Sequence, residues 1–316
     1  MSNEVLLDVQ HLSKFYHTPR GVLHAVDDVS FQIKKGRTLG LVGESGCGKS
    51  TCGRSILRLI EPTSGSVYFE DEDIASLSKS ALRKKRKDLQ IIFQDPFSSI
   101  NPRKTVAQTI AQPLLLHKIC KRKELDERVR EVMDIVGLAP RLMNAYPHEL
   151  DGGRCQRIGI ARALAMNPQF IVCDEPVSAL DVSIQAQILN LMKELQEKNN
   201  LTYLFITHDL SVVNHFSDDI AVMYLGQLIE KAPADELFAH PMHPYTQALL
   251  SAIPVPDIRH NRERIILKGE ISSPIDPPKA CRFANRCPHA SDQCFHMEPQ
   301  LKDIGKDHVV ACFLAE

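Results

Sequence analysis

Apolar and polar residues alternate in two stretches near the start of the chain. These stretches, "VLLDVQHL" (residues 5–12) and "AVDDVSFQI" (25–33), have the period of two that half-buried antiparallel strands show. Three later apolar runs are continuous and predict buried strands: "TLGLVG" (38–43), "QFIVCDEP" (169–176) and "TYLFITHD" (202–209). A stretch with helical periodicity, "SIQAQILNLMKELQEK", lies between the last two runs. The pattern therefore predicts an α/β fold, with a parallel βαβ arrangement and an antiparallel edge.

The rest of the chain divides into a helical insertion and a proline-rich end. The strand "LQIIFQDP" ends at Pro96, and the residues from about 104 to 165 are mostly helical in pattern. After about residue 236, "HPMHPYT", "AIPVPD" and "SSPIDPPKA" predict an irregular segment rather than more sheet. We expect a main domain over 1–235 with a helical subdomain at about 95–165, followed by a C-terminal extension over 236–316.

Composition narrows the class of protein. The chain has 316 residues, 43% of them hydrophobic, which is enough for one large domain and a smaller one. Lys plus Arg is 38 and Asp plus Glu is 39, a balance that is not typical of a general nucleic-acid-binding protein. We interpret the basic run "RKKRK" (83–87) as a solvated helix face, with an anionic partner as the alternative. Neither a signal-peptide pattern nor a membrane-spanning apolar run is visible, so we expect reduced cysteines in a cytoplasmic protein.

A glycine-rich stretch follows the first buried run. "GESGCGKST" matches G-x-x-x-x-G-K-[ST], between a predicted strand and a predicted helix, which is the context this phosphate-binding motif needs. Backbone N–H groups of such a loop surround phosphate oxygens, Lys49 would reach the β and γ phosphates, and the Ser50 hydroxyl would bind Mg²⁺. The candidate nucleotide-binding residues here are Gly43, Glu44, Ser45, Gly46, Cys47, Gly48, Lys49, Ser50 and Thr51.

Acidic residues end a second buried run. Asp174 suits Mg²⁺, and Glu175 can accept a proton from an attacking water. His208 ends a third run, at the sheet edge where open α/β sheets bind ligands, and a γ-phosphate sensor would lie there. These residues together predict an enzyme that hydrolyses a nucleoside triphosphate.

The motifs resemble, in the same order over residues 12–209, those of the nucleotide-binding subunits of ABC transporters. Gly43–Thr51 is similar to that family's Walker A motif, and Phe170–Asp174 to its Walker B motif, with Glu175 as the general base. The resemblance implies a P-loop NTPase (RecA-like) core with an antiparallel β edge, a helical insertion subdomain and a small C-terminal Cys-rich extension. It also implies four further roles: a Q-loop residue that helps bind Mg²⁺ (Gln94), the D-loop Asp181, the switch histidine His208, and Tyr16, which would stack on adenine.

A narrower resemblance is carried by "FQDPFSSINPR", "HPYTQALL" and the cysteine-bearing tail. These segments are similar to the ATPases of dipeptide and oligopeptide importers, a group that also includes nickel and glutathione importers. The resemblance implies ATP-driven import of peptides at the cytoplasmic face of the membrane. The implied partners are a second, related ATPase subunit, two membrane permease subunits and an extracytoplasmic binding protein, with no nucleic acid. The alternatives are a nickel or glutathione importer, a non-transport ABC ATPase, or a regulatory module whose ATPase is vestigial.

The stretch "LDGGRCQR" (150–157) lies where the family's signature L-S-G-G-Q-x-Q-R belongs. In the family this loop binds the γ-phosphate held by the opposite subunit, but here Asp151 replaces the serine and Arg154 the first glutamine. An ionised Asp accepts hydrogen bonds and donates none, although it is as good a helix N-cap as Ser. We therefore predict that Asp151, Gly152 and Gly153 form a weakened signature loop, that the site shared with the partner's signature hydrolyses ATP, and that the other site is slow. The alternative is that Asp151 is only a cap, paired with Arg154.

Four cysteines lie in the extension: Cys281, Cys287, Cys294 and Cys312, separated by five, six and seventeen residues. Four thiolates suit a [4Fe–4S] cluster or tetrahedral zinc, and a metal could organise a segment with little core of its own. Structural zinc sites prefer closer pairs, and free thiols are the remaining alternative. The similar Cys-rich tail of the related importer ATPases favours the cluster, in a structural or redox role.

Overall fold

The computed structural model describes residues 4–121, 123–253, 264–267, 269 and 272–315. Two units are described separately: the first comprises Met1–Ser76 and Phe205–Glu316, and the second Leu77–Leu204. Most of the proline-rich "AIPVPD" stretch lies outside the described residues.

The strands run, in chain order, as β1 Val5–Thr18, β2 Gly21–Lys34, β3 Thr38–Val42, β4 Ser64–Phe69, β5 Glu72–Asp73, β6 Leu89–Ile92, β7 Phe170–Asp174, β8 Thr202–Ile206, β9 Asp219–Tyr224, β10 Gln227–Pro233, β11 Lys302–Asp303 and β12 Val309–Val310. The helices are α1 Lys49–Ile56, α2 Lys79–Lys85, α3 Pro96–Ser99, α4 Val106–Leu116, α5 Leu125–Ile135, α6 Gly152–Leu164, α7 Val182–Asn199, α8 Leu210–Phe216, α9 Ala234–Ala239, α10 Pro244–Ser251 and α11 Asp292–His296.

The first unit contains the predicted antiparallel edge. The strand order is β2-β1-β4-β5, and the long β1–β2 hairpin pairs Asp8 with Gln32 and Tyr16 with Leu23. On one face of β1, Leu7, Val9 and Leu12 are buried, whereas the residues between them are partly or fully exposed. The alternation seen in the sequence is therefore the alternation of a half-buried strand.

A second sheet of the first unit has the order β11-β12-β10-β9-β3. Strand β3 is buried at all five positions and pairs in parallel with β9, which pairs antiparallel with β10. Burial on both faces explains why β3 has a continuous apolar run rather than an alternating one.

The extension contributes a strand to the sheet. The prediction of an irregular segment rather than more sheet was therefore wrong. Strand β12 pairs with β10, Val310 opposite Glu230, and helices α9 and α10 precede it. The Glu230 carboxylate is fully buried and accepts hydrogen bonds from the backbone N–H groups of Met242 (2.7 Å) and His243 (3.1 Å); it also lies 2.8 Å from His308 Nε2. A two-residue strand has no period of its own, and its pairing depends on a distant strand edge, so local composition could not reveal it.

The second unit contains the predicted helical region and parallel strands. Strand β6 pairs in parallel with β7, Ile92 opposite Cys173, and β7 neighbours the start of β8. Helix α4 begins with a capping box at Thr105 and packs against α5 and α6. The α/β fold with a helical insertion is confirmed.

Candidate functional site

The loop between β3 and α1 belongs to the first unit and has a shape that only glycines allow at two positions. Gly43 has φ +151° and Gly48 has φ +107°. A Cβ on Gly43 would lie 2.2 Å from the Met223 carbonyl oxygen, and one on Gly48 would lie 2.0 Å from that of Ala25. The backbone is therefore held close to neighbouring strands, and it leads directly into the first turn of α1.

Lys49 is buried within this loop, and only 4% of its surface is exposed. Its Nζ donates hydrogen bonds to the carbonyl oxygens of Gly43 (2.7 Å) and Glu44 (3.0 Å). The ammonium is thus stabilised by carbonyl dipoles instead of a carboxylate, which leaves its positive charge uncompensated by any of these partners. A phosphate oxygen is a stronger acceptor than these carbonyls, so the lysine is suited to binding one.

Cys47 lies beside this ammonium, with its Sγ 3.8 Å from Lys49 Nζ. Burial raises the pKa of the Cys47 thiol, and the opposing effect of Lys49 does not cancel it. The thiol is therefore neutral at physiological pH and adds no negative charge where an anion would bind.

Gln94 and Glu175 come together in the second unit. Ile92 and Cys173 are paired in parallel, and Gln94 and Glu175 each follow two residues after them. Gln94 Nε2 donates a hydrogen bond to Glu175 Oε2 at 3.0 Å. Glu175 has φ +47°, an uncommon conformation for a non-glycine residue, and its carbonyl accepts from the Ser178 N–H at 3.3 Å. Such strain is found more often at functional sites than elsewhere. The preceding Asp174 is fully buried.

The glycine pair of the second unit begins α6, and Asp151 is its N-cap. Asp151 Oδ1 accepts from the Arg154 backbone N–H at 2.8 Å, and Oδ2 lies 3.2 Å from Arg154 Nη1. Both side chains are about half exposed, which screens their attraction. The expected cap and the expected Asp151–Arg154 pair are both present. Whether this loop is a weakened anion site stays a prediction.

Asp181 also caps a helix, α7. Its Oδ1 accepts from the Ser183 hydroxyl at 2.8 Å and from the Ile184 N–H at 3.1 Å. The Ser183 hydrogen bond, followed by the backbone hydrogen bond of Ile184, lowers the pKa of Asp181. The carboxylate is thus ionised at neutral pH and fixed at the start of α7.

The remaining two candidates belong to the first unit. His208 follows β8 on an exposed position, directly after the buried Thr207. Tyr16 lies near the end of β1, and the Lys14 ammonium is 4.9 Å from the centre of its ring. A partly exposed ring at a strand end is compatible with stacking on a base.

Sequence reasoning missed three residues beside the loop Gly43–Thr51, which we call the phosphate loop: Arg286, Tyr224 and Tyr245. Arg286 of the extension makes a two-pronged ion pair with the Glu44 carboxylate, at 2.9 and 3.1 Å, and its Nη1 lies 3.4 Å from the Tyr224 hydroxyl. The Glu44 backbone N–H donates to the Tyr245 hydroxyl at 2.9 Å. Tyr245 lies in the quoted "HPYTQALL" stretch, but no spacing in the sequence indicates that it reaches residue 44.

None of the four cysteines of the extension forms a disulfide. Burial raises the pKa of Cys281 to about 11, and the nearby sulfurs of Cys294, Cys287 and Cys312 act in the same direction. Burial also raises the pKa values of Cys287 and Cys312. Among the described residues, however, no group of three or more His, Cys, Asp or Glu side chains is arranged to hold a metal ion. The predicted cluster is therefore not supported by the side-chain geometry.

In the described part of the chain, no helix combines the length and the apolar character that crossing a bilayer requires.

Two family descriptions match the chain. Residues 26–178 match the family described as ABC transporter, and residues 229–294 match the one described as oligopeptide/dipeptide transporter, C-terminal region. The second match includes Tyr245 and Arg286, which contact the phosphate loop.

Known proteins resemble the chain over most or nearly all of its length. It is 52% identical to the oligopeptide transport ATP-binding protein AppF of Bacillus subtilis (strain 168), over 99% of this chain and 98% of that protein. It is 58% identical to OppF of the same organism, an oligopeptide transport ATP-binding protein, over 85% of this chain and 89% of the relative. Among solved structures, the ATP-binding cassette MJ0796, a dimer bound to ADP and Pi, is 31% identical with a TM-score of 0.67, over 72% of this chain and 98% of that one.

Proposed function

This chain belongs to the ABC transporter ATPases, within the group of oligopeptide-transport ATP-binding proteins, and we propose that its ATP hydrolysis drives the import of peptides. The observation that carries the proposal is the buried, carbonyl-held Lys49 in a loop whose Gly43 and Gly48 admit no side chain. Such a loop presents N–H groups and one cation to the phosphates of a nucleotide. The printed function of the relatives AppF and OppF, both oligopeptide transport ATP-binding proteins, supports peptides over nickel or glutathione as the cargo.

We assign the remaining nucleotide-site residues as follows. The phosphates bind Gly43–Thr51, and Tyr16 stacks on the adenine. Hydroxyl, amide and carboxylate oxygens are the hard ligands that Mg²⁺ prefers, and Ser50, Gln94 and Asp174 carry one of each. Bound there, Mg²⁺ would neutralise charge on the phosphate oxygens.

Glu175 acts as the general base. A water oxygen attacks the γ-phosphorus, the bond to the ADP oxygen breaks, and the water's proton passes to the Glu175 carboxylate. The Gln94 amide, which donates to this carboxylate at 3.0 Å, orients it. His208 contacts the γ-phosphate as the switch residue, and Asp181 orders the start of α7 at the subunit contact.

The chain works as one half of an unequal pair. Its partners are a second, related ATPase subunit, two permease subunits in the membrane and a binding protein outside, so the chain is peripheral at the cytoplasmic face. One ATP site combines this chain's phosphate loop and Glu175 with the partner's signature loop, and this site hydrolyses ATP. The other site uses Asp151, Gly152 and Gly153 of this chain and mainly binds nucleotide. No nucleic acid takes part.

Glu175→Gln in the reconstituted complex tests this assignment. Because Gln accepts no proton from water, we expect ATP turnover and peptide uptake into proteoliposomes to fall by two orders of magnitude or more, roughly the contribution of a general base. Nucleotide binding should persist. Glu197→Gln, on an exposed face of α7, is the matched control and should turn over ATP normally. If Glu175→Gln stayed active while the same change in the partner abolished turnover, the assignment of the two sites would be reversed.

The four extension cysteines remain our proposed site for a [4Fe–4S] cluster, with zinc as the alternative. Burial raises the pKa values of Cys281, Cys287 and Cys312, so a bound cation would be needed to stabilise their thiolates. Anaerobic purification followed by iron, sulfide and zinc analysis decides among cluster, zinc and free thiols.

A further inference from the structure

Glu44, the second residue of the phosphate loop, is held by the extension through its side chain. Arg286 Nη1 lies 2.9 Å from Glu44 Oε2, and Nη2 donates to Oε1 at 3.1 Å. The Arg286 side chain is 10% exposed and that of Glu44 is 26% exposed, so the pair is largely shielded from water. Two parallel hydrogen bonds between a guanidinium and a carboxylate fix orientation as well as charge.

The extension also holds Glu44 through its backbone. The Glu44 N–H donates to the Tyr245 hydroxyl at 2.9 Å. Tyr245 is fully buried, with its ring 4.7 Å from that of Tyr224 and 5.5 Å from that of Phe283. Its own N–H donates to His243 Nδ1, which caps α10. The hydroxyl therefore has little freedom to move away from the loop.

The same residue contacts the lysine of the loop. The Glu44 carbonyl oxygen accepts from Lys49 Nζ at 3.0 Å. Its amide, carboxylate and carbonyl are thus each engaged, and two of these three contacts come from the extension. Any shift of Glu44 would move one of the carbonyls that position the Lys49 ammonium.

We propose that Arg286 and Tyr245 are positioning residues for nucleotide binding, through which the extension sets the charge and the shape of the phosphate loop. Arg286 neutralises a carboxylate that would otherwise repel the polyphosphate, and Tyr245 fixes the backbone from which the loop turns. This inference rests on the proposed assignment of Gly43–Thr51 to the phosphates of ATP. It gives the extension a direct role in the ATPase cycle that does not depend on its cysteines holding a metal.

Binding of MgATP and MgADP to the full-length chain tests the inference. In Arg286→Gln the Glu44 carboxylate loses its partner, so we expect the dissociation constant of MgATP to rise about fivefold and that of MgADP by less, because a less charged ligand is repelled less. Adding Glu44→Gln removes the unpaired charge, and the double variant should bind MgATP more tightly than Arg286→Gln alone. Arg286→Lys, which keeps the charge but not the two-pronged geometry, should be intermediate.

Two further variants separate positioning from general stability. Tyr245→Phe keeps the buried ring and removes only the hydroxyl, and we expect it to weaken MgATP binding about twofold to threefold, as loss of one hydrogen bond would. Lys306→Gln breaks an exposed ion pair of the extension with Glu236, 3.1 Å in length, and should leave binding unchanged.

The outcomes distinguish the inference from the function on which it rests. Equal weakening of MgATP and MgADP by Arg286→Gln, with no recovery in the double variant, would mean that the ion pair only stabilises the fold and would overturn the inference. Normal binding by Arg286→Gln beside lost binding by Lys49→Ala would overturn the inference alone. Unchanged binding by Lys49→Ala would overturn the proposed nucleotide site itself.

Discussion

Two glycine-rich loops open helices in this chain, α1 after Gly48 and α6 after Asp151, and they differ in what can reach the first N–H groups. Gly48 has no side chain to accept from the start of α1, and the residue that follows it is a lysine. Asp151 accepts from the Arg154 N–H and places a carboxylate at the mouth of α6. Both helices have the positive end of a dipole there, and we expect only the first to bind an anion readily.

The comparison suggests a test of how far one cap residue decides whether a helix start binds an anion. A Ser cap would use the same N–H group but could offer its hydroxyl hydrogen to a phosphate, whereas an ionised Asp has no hydrogen to give. Arg154, 3.2 Å from Asp151, returns some positive charge, although both side chains are about half exposed. We infer that α6 keeps its stability and loses much of its affinity for phosphate.

The largest expected effect comes from removing the cation of the open loop. Lys49→Ala deletes the ammonium held by the Gly43 and Glu44 carbonyls, and we expect ATPase activity of the complex to fall by roughly two orders of magnitude or more. The measurement is phosphate release under saturating MgATP. Lys193→Ala, an exposed residue of α7, is the control and should match the unaltered chain. Activity that survived Lys49→Ala would remove the contrast between the two loops.

A smaller effect is expected when the signature loop is restored. Asp151→Ser with Arg154→Gln gives the loop a donor and removes both charges, so we expect ATPase activity of the complex to rise by about twofold if one of two sites had been silenced. Asp151→Asn is the matched variant, because it keeps a cap acceptor without the charge. If the Asn variant also gains activity, the charge is the cause.

Unchanged ATPase activity in the Asp151 variants would also be informative. No change in either variant would mean that Asp151 is only a tolerated cap, and that both sites already work as fast as their other residues permit. Thermal unfolding should show little difference between Asp and Asn at this position, since both are good N-caps.

Local patterns in the sequence predicted the main strands and the motifs of the candidate nucleotide site, because each of these depends on residues that are neighbours along the chain. Gly43–Thr51 and the run ending at Asp174 belong to this class. The Gln94–Glu175 hydrogen bond depends on the register between β6 and β7, which neither strand specifies alone. Arg286 and Glu44 are in contact although 242 positions separate them in the sequence, and no periodicity or motif spacing predicts such a contact. The β12 strand was missed for the same reason.

The smallest expected effect is on stability. It comes from the same substitution, Gly to Ala, made once within α6 and once at the start of α1. Gly159 is buried within α6, and a Cβ built there meets no atom within 4 Å apart from the backbone of its own helix, so Gly159→Ala should add helix propensity with little steric cost. We expect a gain of about 0.5–1 kcal/mol in the free energy of unfolding, seen as a higher thermal midpoint. The same change at Gly48, with φ +107° and a carbonyl oxygen 2.0 Å from the new Cβ, should instead be destabilising and should weaken MgATP binding. If both substitutions stabilised the protein, the glycine at the start of α1 would not be needed for the shape of the phosphate loop, and the openness of that loop to anions would have to come from Lys49 alone.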